Sequence, residues 1–312
     1  MGSYITFPEL LIWLPLVAGI ISFFLKGQNA AKNLAIVASL IILAVSVASL
    51  FYADDTKYAS YNKVNYYWLK YIGNSFYVGL DGTGRLLSFL TALSFPIILI
   101  STQKNNYKNP AAFYGLMLLT MAGLMGVFVA LDALLFYFFW ELALIPVYFL
   151  CSKWGGEKRI QTTFKFFVYT FGGSLLMLIG IIYVYLHTPQ RFFEDGSVSQ
   201  HSFALQSFMA AILNPEEQQW LFWLFFVAFA IKMPVFPFHT WQPDTYDQSP
   251  TSVTMVLSGI MVKMGLLGVI RWLIPVFPEA VDSFSNVVII LCIVSIVYAS
   301  CIAIMQDNLK KL

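Results

Sequence analysis

The chain has 312 residues, 59% of them hydrophobic and only 11% charged, against roughly 25% charged residues in ordinary soluble domains. Its net charge of +2 comes without any basic cluster interleaved with aromatics, which excludes a nucleic-acid partner. The charge deficit and the apolar runs described next identify a polytopic protein embedded in a lipid bilayer.

A bilayer core takes about 20 apolar residues per helix. Spans are predicted in chain order at residues 8–25, 34–52, 81–100, 111–130, 132–151, 164–186, 220–246, 251–273 and 287–305. The fold class expected is therefore all-α, a membrane helix bundle of about nine transmembrane helices with the seventh broken. The first run has an acidic start at Glu9 and no small-residue cleavage site, so it reads as a retained helix. Residues 53–78 read as a polar, tyrosine-rich loop. Asp81 can cap the third helix, and Asp132 the fifth in a tight turn after the fourth. Within residues 188–219, the stretch 203–213 is amphipathic and is expected at the membrane interface. Cys151, Cys292 and Cys301 lie in or beside apolar runs, without metal-ligand spacing, and read as small core residues.

Lysines and arginines sort to two sides. Lys26, Lys32, Lys104, Lys108, Lys153, Lys158, Arg159, Lys310 and Lys311 fall on one, Lys57, Lys63, Lys70, Arg85, Arg191 and Arg271 on the other with most of the acidic residues. The first side is expected to be cytoplasmic and the amino terminus outside.

The most informative stretch is Ala228-Phe229-Ala230-Ile231-Lys232-Met233-Pro234-Val235-Phe236-Pro237-Phe238-His239. A lysine at the centre of a membrane helix costs about 2.5–3.5 kcal/mol on insertion scales. A proline in a helix interior deletes a hydrogen bond and costs about 3 kcal/mol. Broken backbone at membrane depth survives only where protein buries it or water reaches it. Such features stacked within one stretch point to a site. Glu141, Lys165 and Lys263 are the other ionisable residues within predicted spans. Burial disfavours the charged form of a carboxylate and of an ammonium alike, and placing the two side by side restores it. Separating Glu141 from Lys232 would then release a proton from the lysine. The competing reading is a static ion pair between two helices. It weakens as Lys263 and His239 join the set, because ionisable residues inside a membrane are functional by default. His239, taken alone, is more often a satisfied polar group than a proton carrier; past the helix break it can instead hand protons along. Lys165 lies nearer a helix end and can snorkel to the interface. Ser258, Gly259 and Gly265 around Lys263 allow close helix approach or room for water, and Gly172-Gly173 reads as close packing. His187 and His201 do not face each other as haem ligands would, and Gly82-Thr83-Gly84 has no preceding strand to make it a dinucleotide loop.

Several runs carry a family resemblance: Gly79-Leu80-Asp81-Gly82, Trp140-Glu141-Leu142 with Ile145-Pro146, and Trp154-Gly155-Gly156. Lys165-Phe166-Phe167-Val168-Tyr169-Thr170 and Ser174-Leu175-Leu176-Met177-Leu178 follow, then Lys232-Met233-Pro234, Phe238-His239-Thr240-Trp241, Pro243-Asp244, Ser249-Pro250-Thr251 and Lys263-Met264-Gly265. In these the chain resembles the antiporter-like subunits of the proton-translocating NADH:quinone oxidoreductase, respiratory complex I, and among them the subunit M (chain 4) family. Mrp-type cation/proton antiporter subunits and membrane-bound hydrogenase subunits are similar relatives. The resemblance implies two inverted five-helix repeats, each with a broken helix. Residues 1–110 would hold the first three helices, 111–275 the first repeat and 276–312 the start of the second. It also implies a relay of Glu141, Lys232 and Lys263 with His239 beside it and Lys165 as a further candidate. No redox centre or metal is expected in this chain; NADH, FMN, iron–sulfur clusters and quinone would belong to partner subunits, beside L-like and N-like antiporter subunits. The location implied is the bacterial inner membrane. Alternatives are a Na⁺/H⁺ antiporter or hydrogenase subunit, or a remnant with a scaffold role. Between Asp244 and Pro250 the chain departs from the family's alanine-histidine-acidic run, so no second local histidine is implied. The family has about fourteen helices, and a truncated chain is expected.

Overall fold

The computed structural model describes residues 5–52, 62–102, 105–190 and 201–311. Lys57, Lys104 and Arg191, and parts of the predicted segments 53–78 and 188–219, lie outside the described residues. The chain order is α1 (Phe7–Phe24), α2 (Gln28–Phe51), β1 (Lys63–Leu69), β2 (Asn74–Gly79), α3 (Gly82–Ser101), α4 (Pro110–Val129), α5 (Ala133–Trp154) and α6 (Arg159–Leu186). After these come α7 (Leu205–Met209), α8 (Pro215–Lys232), α9 (Gln242–Gln248), a long helix α10 (Thr251–Val276) and α11 (Pro278–Ile304). Eight of the described helices are long and apolar enough to cross a membrane. The broken pair α8 and α9 occupies the place of the seventh of the nine predicted spans and is not among those eight. The all-α membrane bundle expected from the sequence is the fold observed.

Helix starts deviate most from expectation. α6 begins at Arg159 rather than 164, α8 at Pro215 rather than 220, and α11 at Pro278 rather than 287. Caps and first-turn prolines set a helix start, and they are polar or neutral in hydropathy. In α8 the Asn214 side chain accepts from the Glu217 amide at 2.9 Å while Glu217 takes the Asn214 amide at 2.8 Å. That reciprocal box fixes the start five residues before the apolar run.

The predicted loop 53–78 is corrected by its described half, an antiparallel hairpin pairing Lys63 with Gly79 and Tyr66 with Phe76. Its aromatic and β-branched residues favour extended backbone, and Gly73 turns the chain at φ 68°, where a side chain would be strained. The amphipathic 203–213 piece is also shorter than predicted. Only Leu205–Met209 is helical; Phe208 is buried against Trp272, while Met209 and Ile212 are exposed. Cys151 is buried as expected, whereas Cys292 and Cys301 are exposed on α11, whose apolar surface is turned outward. Of the glycine pair, Gly173 meets Ile231 and Ala228 of α8, but Gly172 has nothing near it. Gly259 likewise faces open space.

α4 forms the centre of the bundle, 89% of its span buried. At one end of the bundle the hairpin, the α4–α5 turn and the segment before α7 are laced together. Leu131 donates to Tyr77 O at 2.9 Å, Leu205 to Leu131 O at 2.9 Å, and Ala133 to Phe203 O at 2.8 Å. Asp132 is fully buried in this lacing. It caps α5 through the Leu134 and Leu135 amides, both at 3.1 Å, and accepts from Asn74 Nδ2 at 2.7 Å and the Ser75 amide at 3.1 Å. Asp132→Ala therefore removes a cap and strands buried donors, at a cost of about 2–3 kcal/mol. Thermal unfolding of the detergent-solubilised protein should show a clearly lower midpoint, with Asp132→Asn falling between variant and wild type.

Candidate functional site

The break after α8 builds the site. Lys232 closes the helix and is 1% exposed. Beyond it Pro234 and Pro237 supply no amide hydrogens, and the backbone is held by substitutes. The Val235 amide reaches back to Ala230 O at 2.9 Å. The indole of Trp241 donates to Ile231 O at 3.0 Å. The Phe236 amide is taken by the hydroxyl of Ser295 on α11 at 2.9 Å. Gly265 of α10 comes so close that a Cβ there would sit 2.6 Å from Met233 and 2.8 Å from Phe229 O.

The Lys232 ammonium makes no hydrogen bond to the protein. It sits 5.5 Å from the Trp140 ring centroid and 5.9 Å from that of Phe166, within cation–π range. Trp140 precedes Glu141 on α5, and the Glu141 carboxylate is the anion that acts on Lys232. The two are apposed without forming an ion pair within 4.0 Å. Glu141 Oε1 is itself buried and without a hydrogen-bond partner, with Ser174 of α6 and Tyr137 as its polar neighbours. The structure thus brings Glu141 and Lys232 together and leaves the lysine's protons untied to any acceptor.

Lys263 lies apart from this pair. α10 contains two π turns, Leu257–Met261 and Val269–Leu273, one on each side of the lysine. In the first, the Val262 amide bonds to Leu257 O rather than Ser258 O, and the Lys263 ammonium takes Ser258 O at 3.1 Å. No hydrogen bond or ion pair joins it to Lys232 or Glu141. Ser258 also lines a cavity of about 400 Å³ with Gln242, Tyr246 and Thr254. His239 stacks on Phe236 and meets Tyr298 edge-on at 5.0 Å, its Nδ1 buried without a partner.

The Lys165 ammonium bonds Asp244 of α9 at 2.9 Å and Thr240 O at 2.8 Å. Pattern reading missed Asp244 because its partner lies 79 positions away. It missed a second ion pair for the same reason. Arg271, counted only as a topological charge, is 4% exposed. It bonds Asp81 at 2.6 Å, Phe128 O at 2.8 Å and Ala130 O at 3.2 Å. Asp81 accordingly caps α3 and receives Arg271 with the same carboxylate oxygen. The Gly155-Gly156 run proves to be a docking turn, with the Gly156 amide on Gln248 O at 2.7 Å.

Residues 130–312 match the transmembrane family described as NADH:quinone oxidoreductase/Mrp antiporter. NADH-quinone oxidoreductase subunit M of Rickettsia prowazekii is 36% identical over 308 residues, covering 96% of this chain and 60% of that protein. F(420)H(2) dehydrogenase subunit M of Methanosarcina mazei is 32% identical over 307 residues, covering 97% and 61%. A chain of respiratory complex I from Thermus thermophilus superposes with a TM-score of 0.80 at 27% identity, over 97% of this chain and 60% of that one. The chain thus spans about 60% of the length of the curated relatives it matches, and the resemblance read from its motifs holds along nearly all of it.

The break depends on Trp241 to satisfy a carbonyl of the last helical turn. Trp241→Phe keeps the ring packing and strands Ile231 O, at about 1–3 kcal/mol. Amide hydrogen exchange across residues 231–241 should accelerate correspondingly, while exchange in the β1–β2 hairpin stays at the wild-type rate.

Proposed function

Because the chain belongs to the NADH:quinone oxidoreductase/Mrp antiporter membrane family, we propose that it is a proton-translocating subunit, of the subunit M kind, in an NADH:quinone oxidoreductase. One observation carries the reading: a fully buried ammonium, Lys232, ends a broken helix opposite Glu141 with no hydrogen bond fixing it. A structural ion pair would be closed and saturated by hydrogen bonds, since open buried charges are costly. Here the attraction is held at a distance, where a small movement of either helix changes it strongly in a low-dielectric interior.

In this reading Glu141 stabilises the charged form of Lys232. Drawing the carboxylate away, or protonating it, destabilises the ammonium, and the lysine releases its proton. Lys263, held at the π turn beside the cavity, is the next acceptor once it has lost its own proton, and His239 flanks the route. The gap between Lys232 and Lys263 calls for a water step. Partner subunits would hold NADH, FMN, iron–sulfur clusters and quinone, with L-like and N-like antiporter subunits alongside. Quinone reduction there would displace Glu141 relative to Lys232. The lysine-rich end would face the cytoplasm of a bacterial inner membrane, with the amino terminus outside. The family also takes in Mrp antiporters; transport driven by a sodium gradient rather than by NADH oxidation would select that function instead.

In the full-length assembled complex, Lys232→Ala and Glu141→Ala should each reduce NADH-driven proton pumping, and the NADH oxidation coupled to it, by roughly 10- to 100-fold. The check is acidification of inverted membrane vesicles, normalised to assembled complex. Wild-type pumping by either variant would sink the relay.

A further inference from the structure

We propose that Asp244 and Lys165 form the entry pair of the proton route, loading protons from the cavity at the lysine-rich end and passing them to the broken segment. The inference rests on the relay reading above. Asp244 lines a cavity of about 380 Å³ bounded by the Gly156–Lys158 turn, Thr162 and Gln248. The side chains of Lys165 and Asp244 keep 36% and 45% of their surface exposed. On its other side Lys165 donates to Thr240 O at 2.8 Å, inside the break, and the Thr240 hydroxyl donates to Tyr169 OH at 3.2 Å. His239 is the neighbour of Thr240 in the chain, and its Nδ1 is the buried, unpartnered atom noted above. Lys165 also shares α6 with Phe166, whose ring covers the Lys232 ammonium. The pair therefore stands between a cavity and an unsatisfied proton carrier.

A half-exposed ion pair is a weak staple, so fastening α6 to α9 does not account for its placement. As a carrier it works in a closed cycle. A proton from the cavity neutralises the Asp244 carboxylate. The Lys165 ammonium, no longer facing an anion, gives one proton to the break on the His239 side. The Asp244 proton then moves to the Lys165 amine and restores the pair. One proton enters, one leaves, and both residues end as they began.

Lys165→Arg separates carrier from staple, because a guanidinium keeps the charge and the donors but does not release a proton near neutral pH. In the assembled complex in inverted vesicles, Lys165→Arg and Asp244→Asn should leave assembly on native gels unchanged and cut pumping per assembled complex roughly tenfold or more, while Asp244→Glu retains it. Wild-type pumping by Lys165→Arg, or by Asp244→Asn, overturns the proposal. Lys232→Ala measured alongside keeps the two readings apart. If it abolishes pumping while the entry-pair variants pump normally, only the entry pair falls; if it pumps normally, the relay falls and the entry pair with it.

Discussion

The structure is arranged around one unresolved attraction, that between the Lys232 ammonium and the Glu141 carboxylate across the α5–α8 interface. A lone charge at the centre of a membrane helix costs about 2.5–3.5 kcal/mol on insertion scales, and apposition of the two opposite charges offsets part of that cost. Much of the surrounding packing reads as a consequence. Trp140 and Phe166 offer π faces to the cation where a carbonyl would tie it down. Gly265 lets α10 close on the break, so the non-helical backbone is covered by protein.

The two ends of the bundle are built differently. At the hairpin end, buried ions are densely bonded: Arg271 has Asp81 and two carbonyls and leaves only its Nε without a partner, and Asp132 has four donors. At the opposite end the ionic groups are half-exposed and border cavities, as with Asp244 and Lys165. Polar groups are thus locked where the chain is fastened and loosely held where the fold meets its cavities.

Most of the architecture was legible in the sequence because each span is announced by twenty or so apolar residues, and the break by two prolines beside a lysine. Glu141 and Lys232 could be singled out by cost alone. What stayed illegible depended on distance along the chain or on backbone detail. Asp244 has no visible partner in the sequence until α6 is placed beside it, and Arg271 counts only towards side-sorting until Phe128 and Ala130 are seen to end at its guanidinium. The hairpin was hidden because alternation among Tyr66, Tyr67 and Trp68 carries no apolar-polar contrast. The early start of α8 was hidden because its cap costs one polar turn that hydropathy counts as loop.

One bond gives α11 a mechanical part to play. The hydroxyl of Ser295 holds the Phe236 amide at 2.9 Å and passes its own hydrogen to Leu291 O at 2.6 Å, so the snapped segment is tied to a rod whose Tyr298 also packs against Phe236 and His239. Sliding that rod by about 1 Å would carry the bond past hydrogen-bonding range. The segment would then either follow or let go. Ser295 thus ties the non-helical segment that follows the buried cation to an outlying helix.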